Sequence, residues 1–262
     1  MREGYTLIEG DSPLLVSVPH DGRDIPEGIR TRMTPAGLDI QDTDWHVARL
    51  YDFAHAMGAT VLVAHWSRYV VDLNRSADDG VLYPGQMVTG LCPARTFGGD
   101  AIYRDGEVVS DDERAERVER YWQPYHDAIR RTLNALRKRH GHALLWDAHS
   151  IPGRVPSLFD GDLPTLNVGT FDGRSCAEAR AASVSEAAQA SPFDTVLNGR
   201  FKGGYITRHY GDPAGSIHAI QLEIAQRAYM DEESREYDEP KATHLRKTLQ
   251  AMLSAFLDRA TR

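Results

Sequence analysis

Cysteine is scarce in this chain, with two in 262 residues, and Cys92 and Cys176 lie far apart in no CxxC spacing. That excludes a disulfide framework and a cysteine-built zinc site, leaving two free thiols as the expectation. Long apolar runs are also missing, and no basic start leads into an apolar stretch, so neither a signal peptide nor a membrane anchor is predicted and a cytoplasmic protein is expected. Positive charge is in deficit. A net charge of -8 argues against a nucleic-acid partner, because phosphate backbones select for concentrated Lys and Arg. Lysine itself is nearly absent, supplying four of the 30 basic residues. The rest are arginines, whose planar fork grips carboxylates better than an ammonium does. The Gly-rich phosphate loop, the dinucleotide fingerprint and the serine-hydrolase elbow are all absent.

What is present fits one globular domain over residues 1–262, with an ordinary hydrophobic fraction of 41%. Short apolar runs at Leu14–Pro19, Ala59–His65 and His142–Asp147 predict buried strands, the first and last opening into polar clusters at His20 and at Asp147–Ser150. Apolar spacing predicts a helix over Thr43–Met57, stopped by Gly58. Ser110 and Glu113 have capping-box spacing at the head of a helix running to Arg139, broken or kinked at Pro124. Further helices are expected at Ala177–Ala190 and from Ala242 to about Arg259, with strands at Tyr205–His209 and Ser216–Ile224. The alternation predicts an α/β fold with a mixed, mostly parallel sheet and helices on both faces. Ser76–Ser110 is irregular and long enough to be a functional loop.

His20 and His149 occupy similar contexts past apolar strands of one sheet, where their side chains can converge as metal ligands. A third ligand is required, and Asp44 and Asp24 are the nearest candidates. Arg68–Arg75, RYVVDLNR, predicts an apolar strand whose end sets Asn74 and Arg75 side by side, where they could fork onto a substrate carboxylate, or Arg75 could simply pair with Asp72 or Asp78. Glu223, near the end of an alternating strand, could act as general base or be paired with an arginine such as Arg227. The segment Asn198–Gly211 carries Arg200, Lys202, Arg208 and His209 among four glycines and suits a flexible basic rim closing over an anion.

Taken in order, SVPHDG at 17–22, DTDWH at 42–46, SRYVVDLNR at 67–75, LLWDAHSI at 144–151, LNVGT at 166–170, NGRFKGGYITRHYG at 198–211 and HAIQLEI at 218–224 resemble the N-formylglutamate amidohydrolase family nearly end to end. The wider resemblance is to zinc carboxypeptidases, aspartoacylase and succinylglutamate desuccinylase, which implies a zinc-carboxypeptidase-like fold and one Zn2+ per chain. It implies His20 and His149 as zinc ligands, Asn74 and Arg75 as carboxylate clamp, Glu223 as base and Arg68 as the arginine polarising the amide carbonyl. The third residue after His20 is Arg23 where the wider pattern has Glu, so Asp44 becomes the first choice for the carboxylate ligand, ahead of Asp24, and His46 could also approach the metal. Arg200, Arg208 or His209 would take the second substrate carboxylate. The implied reaction is zinc-dependent hydrolysis of N-formylglutamate to formate and glutamate, closing a histidine degradation route. Deacylation of another N-acyl acidic amino acid, or carboxylate binding without chemistry, are the competing readings.

Overall fold

A computed structural model describes residues 4–80 and 89–258. Among them, one sheet contains β1 Tyr5–Ile8, β2 Leu14–Val18, β3 Thr60–Ala64, β4 Ala143–Ile151, β5 Leu166–Gly169, β6 Thr195–Leu197 and β7 Ile217–Ala225. The spatial order is β1-β3-β2-β4-β7-β5-β6. The four central strands β3, β2, β4 and β7 are parallel, whereas β1 and β5 join antiparallel and β6 pairs parallel to β5. The helices are α1 Glu27–Arg30, α2 Pro35–Leu38, α3 Val47–Leu50, α4 Asp111–Arg117, α5 Gln123–His140, α6 Glu178–Gln189, α7 Tyr205–Tyr210 and α8 Glu239–Leu257.

Both sheet faces are covered, which is why the central strands are apolar on both sides. On one face Val16, Trp146 and Leu222 pack with Leu50 of α3, Val184 of α6 and Leu249 of α8. On the other, Leu15, Leu62 and Leu145 meet Tyr125, Ile129 and Leu133 of α5. Truncating the fully buried Leu145 to Ala would cost about 3 kcal/mol, as large-to-small core changes do. No described helix is long and apolar enough to cross a membrane.

Local sequence explains several boundaries. Ser110 accepts from the Glu113 N–H at 3.2 Å and caps α4. A wide π turn at Val118–Trp122 leads into α5, in whose first turn Pro124 sits without disrupting the helix. Asp238 caps α8 three residues ahead of the expected start, and the expected last residue, Arg259, lies outside the described residues.

Four expectations need correction. The strand expected at Arg68–Arg75 is a succession of turns with no named strand. The helix expected from Thr43 begins only at Val47, because His46 takes a left-handed conformation (φ 62°) and the DTD residues are drawn to the sheet; it passes into a 3-10 turn at Asp52–Met57. Tyr205–His209 is helical rather than extended, since side chains from elsewhere satisfy the backbone at its start. β4 continues through Asp147 and His149 to Ile151, so His149 stands inside a fully buried strand and not beyond it. Ser76–Ser110 holds no helix or named strand among its described residues; positions 81–88 lie outside them.

Candidate active site

The chemistry gathers at the carboxyl ends of the parallel strands, where α/β sheets commonly bind ligands. His20 follows β2 by two residues. Arg68, Asp72, Asn74 and Arg75 follow β3, His149 comes from β4, and Gln221 and Glu223 come from β7. Period-two alternation puts Asp147 and His149 on the α5 side of β4, with Gln221 and Glu223 directly alongside them in register.

His20, Asp44 and His149 are all buried, with donor atoms within 4.8 Å of one another. Asp44 is the hub. Its Oδ2 accepts from His149 Nδ1 at 3.0 Å and from the Ser150 N–H at 3.1 Å, and its Oδ1 accepts from Arg68 at 2.6 Å. The same guanidinium donates to His20 Nδ1. Each histidine is steadied from behind: His20 Nε2 donates to Asp72 at 2.7 Å, and His149 Nε2 lies 2.9 Å from Asn74 Nδ2 and 3.2 Å from Asp147 Oδ1. That arrangement of ring nitrogen, carboxylate and metal-facing nitrogen is how metal-binding histidines are oriented.

The donor set fits a divalent metal. Two imidazoles and a carboxylate are the ligands of many catalytic zinc sites, and Asp147 Oδ1 is a fully buried carboxylate oxygen without a hydrogen bond, available to a proton on His149 Nε2. A positive group, Arg68, already lies against two of the three ligands.

Electrostatics separate the groups by role. Burial, reinforced by Arg68, pushes His20 below the ordinary histidine value, favouring the neutral ring a metal needs. Burial also opposes charge on His149, but Asp147 and Asp44 outweigh it and hold that ring well above the ordinary value. Asp44 is equally buried, yet Arg68 and His149 keep its carboxyl below the usual range. Glu223 goes the other way: desolvation raises it to about 8.

A cleft opens over these groups, lined by His20, Arg68, Arg75, His149, Arg200 and Glu223 on its polar side and by Phe97, Ile151, Leu158 and Phe201 on its apolar side. A family model for N-formylglutamate amidohydrolase matches residues 12–230. The chain belongs to the N-formylglutamate amidohydrolase family. An N-formylglutamate deformylase of Pseudomonas putida is 47% identical over 259 residues, covering 98% of this chain and 97% of that one. One from Pseudomonas aeruginosa is 48% identical over 235 residues, covering 89% and 88%. A crystal structure of N-formylglutamate amidohydrolase from Ralstonia eutropha superimposes with a TM-score of 0.82 at 26% identity, covering 96% of this chain and 97% of that one. A gene product of Agrobacterium tumefaciens, 17% identical, shares the fold with a TM-score of 0.73 over 98% and 97% of the two chains.

Within this member of the N-formylglutamate amidohydrolase family, the residues singled out by sequence are distributed unevenly. His20, Asp44, His149, Arg68 and Glu223 converge, and Arg75 and Arg200 line the cleft. Arg75 is braced by Thr89, donating to its carbonyl at 2.8 Å, and Arg200 donates to the Leu158 carbonyl at 2.7 Å. Asn74 lines the cleft, but both ends of its amide are engaged, with His149 and with the Ile206 N–H. Arg208 and His209 are not in the lining: Arg208 donates to the Gly203 carbonyl and lies over Phe171, and the exposed His209 stacks on Tyr205. Asp24 is not in the ligand group, and His46 turns its Nε2 to the Arg235 carbonyl at 2.9 Å. The glycines of the basic segment meet a steric demand. A Cβ on Gly204 would lie 2.3 Å from Asn74, and Gly203 has φ +111°.

Sequence reasoning passed over Asp147 and Gln221 and treated Asp72 only as a surface partner. The signal was there: Asp147 and Gln221 are polar residues at alternate positions of otherwise apolar strands, and a buried polar group must have partners.

Proposed function

We propose that this chain is a single-domain, zinc-dependent hydrolase that cleaves N-formyl-L-glutamate to formate and L-glutamate, with one zinc ion per chain held by His20, Asp44 and His149. The observation that carries the reading is the placement of Glu223 beside His149, so that a buried carboxylate faces the same cleft as the candidate metal donors. When bound, the ion supplies Lewis acidity toward water and the formyl oxygen.

The protein side chains do the rest. Glu223 takes the proton of the attacking water and returns it to the amine nitrogen as the C–N bond breaks, so the base ends each cycle as it began. Arg68, the cation nearest His20 and Asp44, stabilises negative charge developing on the formyl oxygen. Arg75 and Arg200 take the substrate carboxylates, each pre-set by a bond to a backbone carbonyl. Asn74 acts through His149, and Arg208 and His209 shape the turn that carries Arg200. Phe97, Leu158 and Phe201 exclude water around the reacting amide. Formate release from N-formyl-L-glutamate by the zinc-loaded chain, lost on chelation and restored by zinc, is the deciding assay. No formate release from this substrate would overturn the reading.

A further inference from the structure

The segment bringing Arg200 and Phe201 to the cleft turns at Gly203 and Gly204 into α7. The first N–H groups of a helix have no partner inside it. Two N–H groups at this start are taken by side-chain amides from distant parts of the chain. The Gly204 N–H donates to Gln221 Oε1 at 2.6 Å, and the Ile206 N–H donates to Asn74 Oδ1 at 2.8 Å. Each bond decides which end of its amide is the oxygen, so the NH2 must point the opposite way. That of Asn74 donates to Asp147 Oδ2 at 3.4 Å beside His149, and that of Gln221 donates to Glu223 Oε2 at 3.1 Å. Gln221 is 3% exposed, so water does not compete for either end.

We propose that Gln221 is a positioning residue for Glu223, its amide fixed by the start of α7 and in turn fixing the carboxylate of the base; this rests on the function proposed above. A glutamate carboxylate turns almost freely about its last torsion, so one donor pinned from behind determines which oxygen faces the cleft. With Oε2 engaged by Gln221, Oε1 is the oxygen left to take the proton of water. The same amide also ties the base to the segment carrying Arg200, so displacement of that segment is transmitted to Glu223 through one side chain.

The test is a double-mutant cycle on the zinc-loaded chain with Gln221→Met, which keeps length and volume but removes donor and acceptor. kcat should fall by about 10- to 100-fold, the range for residues that orient a metal-site group, with zinc content unchanged and KM moving by less than about threefold. In the Glu223→Gln background the same change should have less than about a twofold further effect, because the group it positions is gone. An equal loss in both backgrounds, or an unchanged kcat, overturns the proposal. A second readout needs no turnover. In crystals of the metal-free chain the Glu223 carboxylate should hold one orientation in the wild type and lose it in Gln221→Met, since the donor that pins Oε2 is gone. An unchanged, single carboxylate orientation in the variant overturns the positioning role whatever the kinetics, whereas failure of the wild-type chain to release formate overturns the functional reading alone.

Discussion

His149 and Glu223 are paired Cα to Cα across the parallel ladder of β4 and β7, and both side chains enter one cleft. The sheet thus sets a candidate metal donor and the proposed base one strand spacing apart, about 4.8 Å at the backbone, on its two longest strands. Neither residue depends on a loop for its place.

Asp44 contacts both His149 and Arg68 and bonds the Ser150 N–H, so its loss should empty the metal site. Elemental analysis should find about one zinc per chain in the wild type and in Asp24→Ala, and little in Asp44→Ala. A zinc content lower in Asp24→Ala than in Asp44→Ala would reverse the ligand assignment.

Glu223→Gln keeps shape and removes the base. Turnover should fall by about two to four orders of magnitude with zinc retained. The metal-free chain offers a separate check. A carboxyl whose folded value, about 8, lies above its usual 4.5 binds more protons folded than unfolded between those limits. Stability therefore falls as pH rises through that window, and Glu223→Gln should remove this contribution to the slope. Urea midpoints at pH 5 and pH 8 for both proteins measure it; identical slopes would place Glu223 in an ordinary carboxylate environment.

His149 is held charged above its ordinary value by Asp147 and Asp44, whereas a metal needs the free lone pair. Zinc binding near pH 7 should therefore release protons, and affinity should weaken as pH falls through neutrality. Calorimetry in two buffers of different ionisation enthalpy reads the proton count directly. Zinc affinity independent of pH between 6 and 8 would contradict it.

Selectivity should reside in charge, because Arg75 and Arg200 are fixed before substrate arrives. Removing a substrate carboxylate leaves a desolvated cation unpaired, so N-formylglutamine should have a kcat/KM lower by at least about tenfold. Arg75→Ala should narrow that gap if Arg75 meets the side-chain carboxylate, and should weaken both substrates equally if it meets the α-carboxylate. A wild-type preference for N-formylglutamine or N-acetylglutamate would be incompatible with the proposed substrate.

The central strands were legible in sequence because runs such as Leu14–Val18 and Thr60–Ala64 are apolar on both faces, and so were the long helices and the Ser110 cap of α4. The short strands β1, β5 and β6 were not, since three or four residues give too little periodicity. Tyr205–His209 opens on Tyr, Ile and Thr, which favour strands; its helical start depends on Asn74 and Gln221, from distant positions in the chain. His20, Asp44 and His149, which the fold brings together, were singled out through chemistry and motif. The residues behind them, Asp72, Asp147 and Gln221, were not, because what distinguishes them is whom they touch inside the fold.

The sheet order has a consequence for the newborn chain. β7, the last strand made, lies between β4 and β5. While the ribosome is still extending the polypeptide, β5 and β6 cannot dock, and β4 presents an unpaired edge until residue 225 has emerged. The three candidate metal donors are complete once His149 is made, more than seventy residues before the proposed base arrives. A nascent chain can thus assemble its ion-binding corner before it can catalyse anything, and the interval in which β4 waits for its neighbour is when self-association and chaperone capture compete with folding.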